Sequence, residues 1–219
     1  MVALYLASTS PARAQILKDV GLAATIIAPE VDEEQAVVEM ESPHDAGLIA
    51  LHLAQLKAES VLAPDVDGLV IGGDSVFEFG GEFLGKPHTP ETAIRRWMAM
   101  RGNSGILHSG LWVIDHTGGQ VQGAAGEVSH AHVHFRDDIS DSEIADYVAT
   151  GEPLEVAGAF TLDAKGAAFI DKIEGDSWAV VGMSARSLRS LIRSLGHDYT
   201  SLWDTPRSPG LLNPFPPVP

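Results

Sequence analysis

Near the start of the chain, Ser8-Thr9-Ser10-Pro11-Ala12-Arg13 has the composition of an anion site. It follows an apolar run, Val2–Ala7, that reads as a buried strand. Pro11 then stands at a first helical position, with Ser10 as the N-cap. Free backbone N–H groups and the positive end of the helix dipole favour negative charge at such a turn. Arg13, one turn in, adds a two-pronged donor suited to a phosphate. The same residues also make an ordinary capped helix start that requires no ligand.

Other residues extend the phosphate chemistry. Asp74, in Gly72-Gly73-Asp74-Ser75, is read as a carboxylate just past the end of a short buried strand, where α/β sheets present catalytic groups. Its glycines would let a ligand approach the backbone; the competing reading is an Asx-turn that only closes the strand. Lys57 lies on the apolar stripe of a helix, so its ammonium must either snorkel to water or meet an anion. Lys86, between Gly85 and Pro87, has a restricted backbone that suits a phosphate contact or a plain turn. Asp32 and Glu33 could join Asp74 around a hard divalent cation, which takes oxygen ligands and shares itself with substrate phosphates; solvated acidic loops look the same. His130, His132 and His134 share one strand face, opposite the apolar Ala131, Val133 and Phe135, and are expected to face solvent. Glu152, Asp163, Glu174 and Asp176 fall in polar loops that could rim a cleft.

The elements that must position these residues alternate between strand and helix. Strands are expected at Val2–Ala7, Ala23–Ala28, Leu69–Ile71, Leu111–Asp115, Glu127–Phe135 and Ala167–Asp171, with a hairpin of Val76–Phe79 and Glu82–Leu84 around Gly80-Gly81. Helices are expected at Pro11–Val20, from Ser42-Pro43 to about Leu62, at Pro90–Met100, from the Ser140–Glu143 capping box to Ala149, and from Ser184 to Leu195. The acidic stretch Glu30–Glu34 is left without an element. Residues 1–204 read as one domain and 205–219 as a proline-rich, extended or disordered tail.

Composition excludes several classes. The chain has 219 residues, 45% of them hydrophobic and 20% charged, as in globular proteins with a sizeable core. It has no cysteine, so disulfides and thiolate chemistry are out. The net charge of −16 argues against polymeric nucleic acid, whose backbone needs clustered cations. A small phosphate ligand remains compatible, because a few placed cations and a metal ion reverse the sign locally. No segment approaches the ~18 apolar residues of a membrane helix, and no signal-peptide pattern opens the chain, so no membrane contact and a cytoplasmic location are expected.

Taken in order, the motifs resemble those of the Maf family of nucleotide pyrophosphatases. The resemblance runs through Leu6–Arg13, Val31-Asp32-Glu33, Leu53-Ala54 with Lys57-Ala58, Ile71–Ser75, Gly85-Lys86-Pro87, Tyr147–Leu154, Ala157–Phe160, Ile173–Asp176 and Val180-Val181-Gly182. It implies an α/β fold with an elongated, curved mixed sheet flanked by helices, in two lobes around a central cleft. It implies hydrolysis of ribo- or deoxyribonucleoside triphosphates to monophosphate and pyrophosphate, assisted by Mg2+ or Mn2+, with a role in clearing modified nucleotides or in cell-division control. Carried over by position, Ser8, Ser10, Arg13, Lys86 and Glu152 bind substrate. Lys57 and Glu33 serve catalysis, Asp74 accepts the proton of the attacking water, and Glu33 and Asp74 face the metal. Family members often form homodimers. The chain departs from the usual pattern at Ala12, at Gly105 where a His is usual, at Val156 in place of Lys and at Asp163 in place of Gln. Two alternatives stand beside this reading: a non-catalytic nucleotide-binding septation regulator, and a metal-dependent phosphomonoesterase that releases only orthophosphate.

Overall fold

The computed structural model describes residues 2–40 and 45–204. The expected helix start at Ser42-Pro43 and the tail from Thr205 lie outside the described residues. Seven strands form one mixed sheet: β1 (Ala3–Ala7), β2 (Thr25–Ile27), β3 (Gly68–Phe79), β4 (Glu82–Leu84), β5 (Ser104–Asp115), β6 (Gly123–Phe135) and β7 (Ile170–Gly175). The order is β2-β1-β3-β5-β6-β7, with β4 paired to the outer part of β3. β1 runs parallel to β2 and β3, and the remaining pairs are antiparallel.

The helices are α1 (Pro11–Asp19), α2 (Glu33–Val38), α3 (Ala46–Ser60), α4 (Pro90–Met100), α5 (Asp141–Ala149), α6 (Ser177–Val181) and α7 (Ala185–Ser194). Local chemistry explains their starts. Ser10, Asp32, Asp45, Thr89, Ser140, Asp176 and Ser184 each cap a helix through a side-chain oxygen. The Ser140–Glu143 capping box is complete. Two large cores result. One joins Phe77, Trp97, Phe135, Ile144 and Phe160 under α4 and α5. The other joins Leu6, Ile16, Leu69, Leu111, Leu188 and Ile192 under α1 and α7.

Four expectations require correction. Residues 69–79 are not a short strand followed by a turn: β3 passes unbroken through Asp74, Gly72 is an extended position where α3 leaves no room for a side chain, and Gly73 is one where a side chain would press on Arg13. A Cβ on Gly72 would lie 2.1 Å from the Ala54 carbonyl oxygen of α3. The acidic stretch is not a bare loop. Asp32 accepts from Gln35 N at 3.0 Å and starts α2, whose first-turn Glu33 and Glu34 suit the helix dipole. The strand expected at Ala167–Asp171 begins at Ile170, because Glu152 accepts the N–H groups of Lys165 and Gly166 and holds Lys165–Phe169 as a 3-10 turn. Finally, α6 forms at Ser177–Val181, where the sequence pattern predicts no element.

α3 lies flat on β3 and β5 because both strands offer glycine beneath it. Gly110 pairs with Asp74, and a Cβ there would come within 2.3 Å of the Ala50 backbone. Gly110→Ala therefore forces α3 off the sheet. Overpacking of this kind costs about 1–3 kcal/mol, which a thermal or urea melt reads as a lowered midpoint.

At the far end of β5, Asp115 accepts from His197 at 2.7 Å and from Thr117 Oγ1 at 2.7 Å. Burial pushes its carboxyl up, but the hydrogen bonds from His197 and Thr117 outweigh it and hold the carboxyl below the usual range. A carboxyl depressed in the folded state stabilises above its unfolded value of about 4, and loses that contribution as pH falls through the folded value. Asp115→Asn is thus expected to lower the melting temperature at neutral pH by about 2–8 °C. The gap from wild type should narrow progressively below pH ~4; a constant gap down to pH ~2 would contradict this linkage.

Candidate active site

The site lies where β3 loses its neighbours. On one side of β3, pairing with β1 ends at Ala7–Gly72 and pairing with β4 begins at Phe77–Leu84. Between them, among the described residues, Gly73–Val76 has no strand partner on that side, while β5 pairs the whole stretch on the other. Side chains alternate across the sheet. Gly72 and Asp74 face α3, and Gly73 and Ser75 face Arg13 of α1. Groups from both faces therefore converge at one open strand edge.

Lys57 comes from the apolar stripe of α3 and is only 7% exposed. Its Nζ lies 2.6 Å from Asp74 Oδ1 and 2.8 Å from Glu33 Oε1. Two of its three N–H donors are thereby engaged. Asp74 is 8% exposed. Burial pushes its carboxyl above the usual range, opposed by Lys57 and Arg13. Among the described residues, no donor reaches its Oδ2.

Arg13 is also 8% exposed, and every side-chain partner it has is neutral. Nε donates to the Gly182 carbonyl at 2.9 Å, Nη1 to Ser8 Oγ at 3.3 Å and Nη2 to Ser75 Oγ at 3.0 Å. Burial lowers the pKa of its guanidinium; Asp74 and Glu33 act against this through space. Two of its five N–H bonds remain unassigned. Ser8 Oγ also accepts from Ser10 N at 3.2 Å, and Ser10 caps α1 by accepting from Arg13 N at 3.4 Å.

The fold thus assembles Ser8, Ser10, Arg13, Glu33, Lys57 and Asp74. It does not join two other predicted residues to them by a hydrogen bond or ion pair. Lys86 is half exposed and lies 3.9 Å from Glu155. Glu152 is committed to its own loop, accepting from Tyr147 Oη, Thr161 Oγ1, Lys165 N and Gly166 N. Asp32 is used as a helix cap. His130 and His132 are exposed, as expected for a solvent face, and His134 is half-buried beside Glu174. Ser75, Ser109 and Gly182 were missed. Ser75 and Ser109 face one another only through the β3–β5 register, which local patterning does not reveal.

Metal fit follows from the donor set. Glu33 and Asp74 are two hard oxygen donors within reach of one ammonium. Among the described residues no group of three or more such ligands is assembled. Two carboxylates suit a cation of the Mg2+ type that completes its shell with water and substrate phosphate.

Between α1 and α6, a hollow of about 350 Å3 is lined by Ala12, Gln15, Ile16, Leu162, Asp163 and Trp178, among others. Among the described residues no helix is long and apolar enough to cross a membrane.

The fold is mixed α/β, a seven-stranded sheet flanked by helices, with buried cations and carboxylates gathered at an interrupted strand edge. The family described as Maf-like protein matches residues 3–195, and the chain belongs to it. Among its relatives, a nucleoside triphosphate pyrophosphatase of Leifsonia xyli is 48% identical over 209 residues, covering 92% of this chain and 96% of that protein. Proteins of the same name from Salinispora tropica and Streptomyces coelicolor are 46% and 48% identical, covering 91% of this chain in each case and 87% and 94% of their own lengths.

Lys57→Met leaves the Asp74 carboxylate buried without its partner. Breaking a buried pair from one side costs about 3–5 kcal/mol. The double variant Lys57→Met/Asp74→Asn should recover much of that loss in a denaturant melt, because the buried carboxylate that Lys57→Met leaves without its partner is then absent. Additive losses would mean that the two side chains do not depend on each other.

Proposed function

We propose that this protein is a nucleoside triphosphate pyrophosphatase. The observation that carries the reading is Arg13, a buried guanidinium held only by neutral acceptors. Burying a cation with no counter-charge in hydrogen-bonding contact is costly, and a phosphate facing its free N–H bonds relieves that cost. The relatives' printed name supports the same chemistry.

In this reading Arg13, Ser8, Ser10 and the third N–H of Lys57 bind the phosphate chain. Lys86, on a long exposed stem, adds a cation from the Gly85–Pro87 loop. Glu33 and Asp74 would hold a divalent cation, which would supply neutralisation of phosphate charge and a more acidic water. Asp74 Oδ2 accepts the proton of the attacking water. A bond forms from that water oxygen to the α-phosphorus, and the bond from the α-phosphorus to the bridging oxygen breaks. Pyrophosphate leaves with the electron pair, and the nucleoside monophosphate remains. Charge developing on the phosphoryl oxygens and on pyrophosphate is met by Lys57, fixed in place before reaction begins, while Arg13 grips the phosphate chain equally before and during reaction. The hollow between α1 and α6 is the place proposed for the base, with the exposed Trp178 ring at its wall. Glu152 acts indirectly, by ordering the 165–169 turn.

The test is turnover with Mg2+ or Mn2+ on a panel of ribo- and deoxyribonucleoside triphosphates, common and modified, with pyrophosphate and orthophosphate measured separately. Equal yields of pyrophosphate and monophosphate are expected. Asp74→Asn should retain the fold and lose about 10²–10⁴-fold in rate, the usual effect of one positioned acid–base group. Orthophosphate alone would indicate a phosphomonoesterase. Binding with no turnover of any nucleotide would indicate a regulator.

A further inference from the structure

We propose that Asp176 is a positioning residue for phosphate binding, acting on Arg13 through the short helix α6. The proposal rests on the reading of Arg13 as a phosphate ligand.

The Nε prong of Arg13 is aimed by a single backbone oxygen, that of Gly182, which follows α6 directly. That carbonyl also accepts from Ser109 Oγ at 3.3 Å. Gly182 has φ +131°, a backbone state that side chains disfavour, so its carbonyl direction depends on how α6 ends. The turn is tight: Gly182 N donates to Trp178 O and Ala179 O, and Met183 N to Trp178 O.

A helix of five residues cannot hold its own register. Asp176 supplies what it lacks. Its Oδ1 accepts from Trp178 N at 3.1 Å and Ala179 N at 3.3 Å, fixing the start of α6. Its Oδ2 accepts from Ser184 Oγ, just beyond Gly182, so one carboxylate clamps both ends of the segment. Ser184 in turn accepts from Ser187 N at 3.0 Å and caps α7, and Asp176 N donates to His130 O of β6 at 3.3 Å. The segment 176–184 is thereby tied to the sheet and to α7. With the clamp released, the Gly182 carbonyl loses its fixed direction, and the guanidinium fork loses its aim.

Because Arg13 touches substrate phosphate in this reading, the loss should fall chiefly on KM. Asp176→Ala is expected to raise KM for the best nucleoside triphosphate at least tenfold while kcat changes less than threefold. Asp176→Asn, whose remaining oxygen can still cap α6, should restore KM to within about threefold. In an Arg13→Ala background, Asp176→Ala should add less than twofold, since the group it aims is already gone. Should Asp176→Ala fail to fold, Ser184→Ala removes the partner of Oδ2, and the same KM rise and the same non-additivity with Arg13→Ala are required. Full additivity in the cycle, or an unchanged KM in a folded Asp176→Ala or Ser184→Ala protein, would overturn the proposal. An Arg13→Ala protein with wild-type KM and kcat would instead overturn the reading of Arg13 itself.

Discussion

Two buried cations beside one strand set the terms for the surrounding structure. Arg13 approaches β3 from the α1 face and Lys57 from the α3 face, and both are buried. Lys57 is answered by two carboxylates, whereas Arg13 is answered only by dipoles. Such an arrangement persists only if its surroundings are rigid, because a mobile guanidinium would turn toward solvent. The interrupted sheet supplies the opening, and the glycines at 72, 73 and 110 supply the closeness. The two cores on either side supply the rigidity.

The electrostatics fit a protein whose overall charge is strongly negative. With a net charge of −16, anions are repelled at long range, so a triphosphate must be held by short-range contacts and by its own counter-cation. Arg13 and Lys57 balance Asp74 and Glu33 within the cluster. A bound metal would shift that balance toward the substrate. The half-exposed Glu33 stands at the mouth of the cluster, where a hydrated ion would enter, while Asp74 stands at its floor.

Positions that depart from the family's usual pattern have local accounts of different kinds. Gly105 is held small by packing: a Cβ there would lie 2.3 Å from the Phe77 ring, so the aromatic core of that lobe has taken the space. Ala12 and Asp163 both line the hollow between α1 and α6, which makes that wall small at one point and acidic at another. Nothing in the structure explains Val156.

The sequence by itself determined the local parts of this protein. Helix starts at Ser10, Ser140 and Ser184 depend on residues three or four apart, and helical periodicity places Lys57 on an apolar stripe, though only the fold buries its ammonium against Asp74 and Glu33. The order of motifs identified the family. Tertiary structure alone decided three things. Gly72-Gly73-Asp74 reads as a turn by composition but is extended strand, because α3 and Arg13 pack where side chains would stand. Glu152 reads as a cleft carboxylate, but four donors from its own loops consume it. The partner of Arg13 is a carbonyl 169 residues away, brought to it by sheet register and by the packing of α6. Caps and periodicity act within one or two turns of chain, so they are written locally. A contact across 169 residues exists only once the strands have paired, and no local pattern encodes it.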